Sequence, residues 1–164
     1  MGTISNCDGR LFVALRAEQP AEVKVPAFPG PFPCLIWDHL GLLVEAERRS
    51  IAACLLDAGC RYAVCGGANC SEWENAVDFE YIARHLAEPD EALDESHVMT
   101  TSHKNEDIDD VAFFFVQNTN FDNHDFRNYL ILHVGASRLV ALLEDAVRKH
   151  AEQAGAASKS DADG

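Results

Sequence analysis

The stretch Tyr129-Leu-Ile-Leu-His-Val134 decides the fold. It is apolar throughout apart from His133. A continuous apolar run of this length is typical of a central parallel strand, because helices cover both of its faces. Gly135 then turns the chain, and Ser137 is well placed to cap a following helix. The stretch therefore predicts a parallel sheet packed between two layers of helices.

The same alternation of apolar runs and helical patterns is found upstream. Strands are predicted at 34–38, 61–65 and 97–101, and helices over 42–58, from Ser71 onward and from about Asn105 onward. The predicted fold class is α/β, a small three-layer domain with a mostly parallel, four- to five-stranded sheet flanked by helices. The fifth candidate strand is 10–16, at a sheet edge. We expect a proline-rich N-terminal arm over 1–33, a single α/β domain over 34–150 and a disordered tail over 151–164.

The composition of the chain excludes several classes of function. With 13 basic and 27 acidic residues among 164, the net charge is −14, which disfavours nucleic acid as a partner. No stretch approaches the ~20 consecutive apolar residues of a membrane helix. The chain starts without a basic segment followed by an apolar run, so we expect a cytoplasmic protein. The six cysteines include no C-x-x-C pair, and we predict neither a disulfide framework nor a bound metal or cofactor.

The acidic residues are concentrated in one part of the chain. Between Glu72 and Asp110 there are 13 acidic residues and only two basic ones. One interpretation is a solvated face that keeps the protein soluble. The other is a docking surface for a protein partner with a basic surface, because complementary charge speeds encounter and fixes register. The sequence also leaves a homodimer open.

Two polar stretches follow predicted strands and point to a candidate site. They are Cys70-Ser-Glu-Trp-Glu-Asn-Ala-Val-Asp78 and Met99-Thr-Thr-Ser-His-Lys-Asn-Glu106. In an open α/β sheet, ligands bind in the crevice at the carboxyl ends of the strands. The candidate ligand- or partner-binding residues are Cys70, Trp73, Asp78, Thr101, His103, Glu106, Asp109 and Asp110.

Each of these signals has a functional and a structural interpretation. His103 and Glu106 are three residues apart at a helix start, which suits acid–base chemistry but also simple compensation of the helix dipole. The glycine turn at 66–67 either cradles a phosphate or is an ordinary tight turn. A Cys70 nucleophile served by His103 is a further alternative, and Trp73 is interpreted mainly as a packing residue.

A metal site is the remaining alternative from the residues. Cys65, Cys70, His103 and His133 all lie near predicted strand ends, but no pair has the spacing of a metal motif. We therefore predict no metal and interpret His133 as a core histidine.

The order of these segments resembles an uncharacterised bacterial family, a domain of unknown function. The marks of the resemblance are a glycine turn followed by Cys-Ser-x-Trp and Val-Asp, then Met-Thr-Thr-x-His, then Leu-Ile-Leu-His. In this chain they fall on Gly67, Cys70, Ser71, Trp73, Val77 and Asp78; Met99, Thr100, Thr101, His103, Glu106 and Phe115; and 130–133. The chain departs from the pattern at Ser102, where the family would have tryptophan. The resemblance covers about 33–150 and implies one compact domain without implying a reaction.

The first functional hypothesis is a non-catalytic binding or accessory protein that engages a partner through its acidic surface or strand-end crevice. The alternative is a small enzyme acting on a nucleotide-like metabolite, with Thr101, His103 and Glu106 around the reacting atom.

Overall fold

A six-stranded sheet forms the centre of the protein. The computed structural model describes residues 1–86, 97–120 and 124–162. The strands are β1 (Gly2–Cys7), β2 (Arg10–Ala17), β3 (Phe32–Asp38), β4 (Cys60–Gly67), β5 (Met99–Ser102) and β6 (Asn128–Val134). The helices are α1 (Glu45–Asp57), α2 (Cys70–His85), α3 (Ile108–Gln117) and α4 (Leu139–Ala162), with one 3-10 turn at Pro20–Glu22. The sheet order is β1-β2-β6-β3-β4-β5, and only the β1–β2 pairing is antiparallel among the described strands.

The α/β class and the mostly parallel, helix-flanked sheet are confirmed, but the predicted count of four to five strands is one short. The sixth strand is β1, which pairs with β2 through a tight turn at Asp8 and Gly9. Both turn residues have positive φ, 51° and 68°, the conformation in which an Asp-Gly pair joins two strands. Because β1 lies outside it, β2 is an inner strand and not the predicted edge.

The two faces of the sheet are covered by different pairs of helices. Helices α1 and α2 pack with one core cluster, built around Ile36, Ile51 and Trp73. Helices α3 and α4 pack with the other, built around Phe115 and Val147. The chain leaves β3 toward the first face and leaves the neighbouring β6 toward the second. This divergence makes the β3–β6 boundary a topological switch point, where α/β proteins bind ligands.

The last helix extends well into the region for which the sequence predicts a disordered tail. Ala151 is fully buried, and the Cys7 thiol donates to its carbonyl oxygen at 3.1 Å. A Cβ added at Gly155 would lie 3.4 Å from the Cβ of Asp8. The small residues of this stretch therefore allow α4 to pack closely against β1 and the β1–β2 turn.

The end of β4 lies against the end of β3 at Gly67. Its φ is +76°, and a Cβ there would lie 2.3 Å from the Asp38 carbonyl oxygen. The same carbonyl accepts a hydrogen bond from the Ala68 N–H at 2.8 Å. The glycine turn therefore joins two neighbouring strand ends, which is the ordinary tight-turn interpretation of this stretch.

Replacing Gly67 by alanine tests this packing. Gly67→Ala should lower the free energy of unfolding by about 2 kcal/mol or more, because a positive φ and a backbone clash must both be accommodated. Gly30→Ala is the matched control, since a Cβ there meets nothing within 4 Å. Urea unfolding of both variants measures the difference, and equal stabilities would contradict the packing described.

Candidate functional site

Hydroxyl–carboxylate pairs join β5 to α2. Thr100 Oγ1 donates to Asp78 Oδ1 at 2.8 Å, and Ser102 Oγ donates to Glu74 Oε2 at 2.6 Å. Alternate residues of a strand point to the same face, so both hydroxyls reach the same helix. Asp78, a predicted site residue, is thus engaged in holding the edge strand.

Three other predicted site residues form a second hydrogen-bonded group on the opposite face of β5. His103 Nδ1 lies 2.8 Å from Glu106 Oε2, and its Nε2 lies 3.2 Å from Thr101 Oγ1. A carboxylate accepts only, so Nδ1 carries the proton and Nε2 accepts from the threonine hydroxyl. The ring is buried against Phe114, with 4.6 Å between centroids. The arrangement combines a carboxylate, an imidazole and a hydroxyl.

The remaining predicted residues are dispersed. Cys70 and Trp73 are buried at the start of α2, and Trp73 Nε1 donates to Asp38 Oδ2 at 3.0 Å. Asp109 accepts from Lys149 at 2.5 Å and lies 3.1 Å from His150 Nε2, and its hydrogen bond to Lys149 holds the pKa of this carboxyl below its usual value. Asp110 is exposed in the first turn of α3.

The structure separates the two histidines that were considered for a metal. His133 lies in β6 and His103 follows β5, three strand spacings away, or about 14 Å. In the described parts of the chain, no group of three or more His, Cys, Asp or Glu side chains is arranged to hold an ion.

A different cluster occupies the switch point, and it contains residues that were not among the predicted site. His39 follows β3, and its Nδ1 lies 2.9 Å from Ser137 Oγ while its Nε2 lies 3.0 Å from His133 Nδ1. His133 Nε2 makes no hydrogen bond and lies 3.4 Å from Glu144 Oε1. Arg16 holds the same carboxylate oxygen at 3.0 Å. We call Ser137, His39, His133 and Glu144 the switch-point cluster.

Burial keeps both histidines of this cluster neutral near pH 7. It lowers the pKa of His133 to about 4, with the neighbouring His39 lowering it further and Glu144 opposing the shift. Burial likewise lowers the pKa of His39 from its usual value, against the opposing effect of Asp38. Two stacked imidazoles, 5.2 Å apart between centroids, therefore lie in contact without charge repulsion.

A crevice of about 260 Å³ opens beside the cluster. The loops that carry His39 and Ser137 form much of it, and its lining comprises Glu18, Gln19, Asp38, Leu40, Leu42, Leu43, Val134, Gly135 and Ala136. The loop after β3 presents large apolar side chains to solvent: Leu42 is 76% and Val44 61% exposed. The crevice thus has an apolar rim, and its lining includes the acidic residue Glu18.

The sequence contains part of the signal for this site. His39, His133 and Gly135 all stand at predicted strand ends, where ligands are expected. That β3 and β6 are neighbours cannot be derived from the order of segments, because β4 and β5 separate them along the chain.

These features define a small open α/β protein with a strand-end crevice at its topological switch point. The chain belongs to a domain family of unknown function, DUF7684, whose family model matches residues 12–150. This confirms the resemblance to an uncharacterised domain family. No curated protein matches the chain, and no solved structure matches it either. None of the helices in the described ranges is both long and apolar enough to cross a membrane.

The lowered pKa of His133 predicts a loss of stability in mild acid. The unfolded chain binds a proton near pH 6.5 and the folded chain only near pH 4, so stability is present above pH 6.5 and is lost as the pH falls toward 4. Between pH 7 and 5, protonation of this histidine in the unfolded chain should lower the free energy of unfolding by about 2 kcal/mol. Urea unfolding at both pH values measures the loss.

The variant His133→Asn isolates this contribution, because asparagine does not titrate. The pH-dependent loss should shrink by about 2 kcal/mol in H133N. His97→Gln, which removes an exposed histidine, is the matched control. An unchanged loss in H133N would contradict the assignment.

Proposed function

We propose that this protein is a binding protein that engages a basic protein segment bearing apolar side chains at the switch-point crevice. The main support for this proposal is the apolar loop at 40–44. It is exposed beside the crevice, yet hydrogen bonds hold it in place. Exposed apolar patches next to a groove are typical of interaction sites.

The loop is fixed by hydrogen bonds from three directions. The Asp38 carboxylate accepts the N–H groups of Leu40 at 3.1 Å and Gly41 at 2.7 Å. Asn69 donates from Nδ2 to the Gly41 carbonyl at 3.1 Å. The Arg48 guanidinium donates to the Leu43 carbonyl. A loop held this way loses little conformational entropy on binding, which favours affinity.

Charge supports a basic partner. Acidic residues occupy the first turns of three helices: Glu45 and Glu47 in α1, Glu72 in α2, and Asp109 and Asp110 in α3. Each helix starts after a parallel strand, so these acids share one edge of the sheet with the crevice. A net charge of −14 adds long-range attraction for a basic surface.

A second candidate function is a small enzyme acting on a nucleotide-like metabolite at the β5 end. It is favoured by His103, which bridges the Glu106 carboxylate and the Thr101 hydroxyl. In that function Glu106 orients His103, and His103 moves a proton at the reacting atom. A folded His103→Ala variant that loses activity supports it, whereas a variant that loses stability supports a structural histidine.

Selection from a random peptide library tests the first proposal. Peptides that bind the purified protein should be enriched in Lys or Arg next to large apolar residues. Leu42→Asp should weaken the selected peptides about tenfold or more, because one buried leucine contributes roughly 2 kcal/mol. Leu86→Asp, at the far end of α2, is the control with a similarly exposed leucine.

The double variant Asp109→Lys, Asp110→Lys examines the charge contribution. It should weaken binding at low salt and flatten the salt dependence, while L42D, which adds a negative charge, should not flatten it. Peptides that bind L42D as tightly as the wild type would contradict the crevice as the site.

A further inference from the structure

We propose that the switch-point cluster is a serine acyl-hydrolase site, in which Ser137 is the nucleophile, His39 the general base, and small apolar acyl esters the substrates. This activity goes beyond partner binding and does not rest on it. It is carried by an ordered series of contacts that runs from a half-buried serine hydroxyl through two imidazoles to a carboxylate.

The nearby Glu144 carboxylate favours one arrangement of protons in the cluster. A proton on His133 Nε2 faces the negative charge of Glu144 at 3.4 Å, a favourable electrostatic contact although it is not a hydrogen bond. His133 Nδ1 then accepts from His39 Nε2–H at 3.0 Å. His39 Nδ1 is left as an acceptor, and the Ser137 hydroxyl donates to it at 2.9 Å. A serine hydrogen-bonded to a neutral imidazole, itself oriented by further groups, is the arrangement of an activated nucleophile.

Burial and an ion pair hold the side chains of this cluster in place. His133 is fully buried in β6, and Arg16 fixes the Glu144 carboxylate by donating to Oε1 at 3.0 Å. His133 and Glu144 are positioning residues, because they act through His39. The lowered pKa of His39 keeps it unprotonated and able to accept the serine proton at neutral pH.

The start of α4 supplies electrostatic support to Ser137. The Leu139 N–H donates to Ser137 Oγ at 3.1 Å, which stabilises negative charge developing on that oxygen. The first N–H groups of a helix have no intrahelical partner, and the helix dipole places partial positive charge there. In this helix the Leu139 and Val140 N–H groups already donate to the Oγ and the carbonyl oxygen of Ser137, so the helix start supports an oxyanion through its dipole.

The reaction balances without a co-reactant other than water. Ser137 Oγ attacks the ester carbonyl carbon, and its proton moves to His39 Nδ1. The tetrahedral intermediate collapses, the carbon–oxygen bond to the alcohol breaks, and His39 returns the proton to the departing alkoxide. Water then attacks the acyl-serine, giving its proton to His39, and release of the carboxylic acid restores the Ser137 hydroxyl.

The surroundings indicate which esters fit. Ala136 and Leu40, the chain neighbours of Ser137 and His39, line the crevice together with Val134 and Leu43. This lining suits a short apolar acyl group. The acidic surface disfavours anionic esters such as phosphates.

A fluorophosphonate probe and p-nitrophenyl butyrate test the proposal on the full chain. Intact mass spectrometry should show one adduct per chain, peptide mapping should place it on Ser137, and ester hydrolysis should be measurable. Ser137→Asn, which retains a helix-capping side chain, should lose both signals. His39→Gln should slow labelling about 100-fold or more. Ser50→Ala, at an exposed serine of α1, should behave as the wild type.

The positioning role of His133 has its own readout. His133→Leu removes the acceptor of His39 Nε2–H, so protonated His39 is less stable and the pH midpoint of labelling should fall. H133N, whose side-chain oxygen can accept that bond, should restore the midpoint. A folded wild-type chain that takes no adduct at Ser137, or an adduct whose rate ignores His39, would overturn the proposal.

Discussion

The structure at the carboxyl ends of the strands depends on one buried side chain, the carboxylate of Asp38. It is only 2% exposed and accepts three N–H groups, from Leu40, Gly41 and Trp73. A charge removed from water needs such donors, because desolvation otherwise costs several kcal/mol. Two of them set the path of the loop after β3, and the third fixes α2 against β3. One side chain therefore shapes the crevice and joins two layers of the protein.

On either side of Asp38, the carboxyl ends of the strands form two chemically different regions. At the β4–β5 end, carboxylates accept from nearby hydroxyls and an imidazole, as in the pairs Ser102–Glu74 and His103–Glu106. These contacts join the edge strand to α2 and to the segment leading into α3. At the β3–β6 end, two neutral imidazoles lie between a serine and a partly exposed carboxylate. In the first region these hydrogen bonds join elements of the fold, whereas in the second the Nε2 of His133 is buried without a hydrogen bond.

The sequence predicts local structure far better than it predicts which strands are neighbours in the sheet. The run over 129–134 and the cap at Ser137 appear as expected, because apolar periodicity and capping act over a few residues. The hairpin of β1 was missed although Asp8-Gly9 marks it, since the strand before the turn lacks a continuous apolar run. The contact between His39 and His133 joins residues 94 positions apart. Only the insertion of β6 between β2 and β3 creates it, and no local pattern encodes strand order.

His133 itself argues that this second region is more than core. Every other residue of β6 from Tyr129 to Val134 is apolar, and a leucine or valine at 133 would continue the strand without desolvating an imidazole. Its Nε2 is buried without a hydrogen bond, which lowers stability. Buried polar groups that cost stability are typical of sites where the geometry serves binding or chemistry. The position of this imidazole, between His39 and Glu144, is therefore better explained by proton movement at Ser137 than by folding.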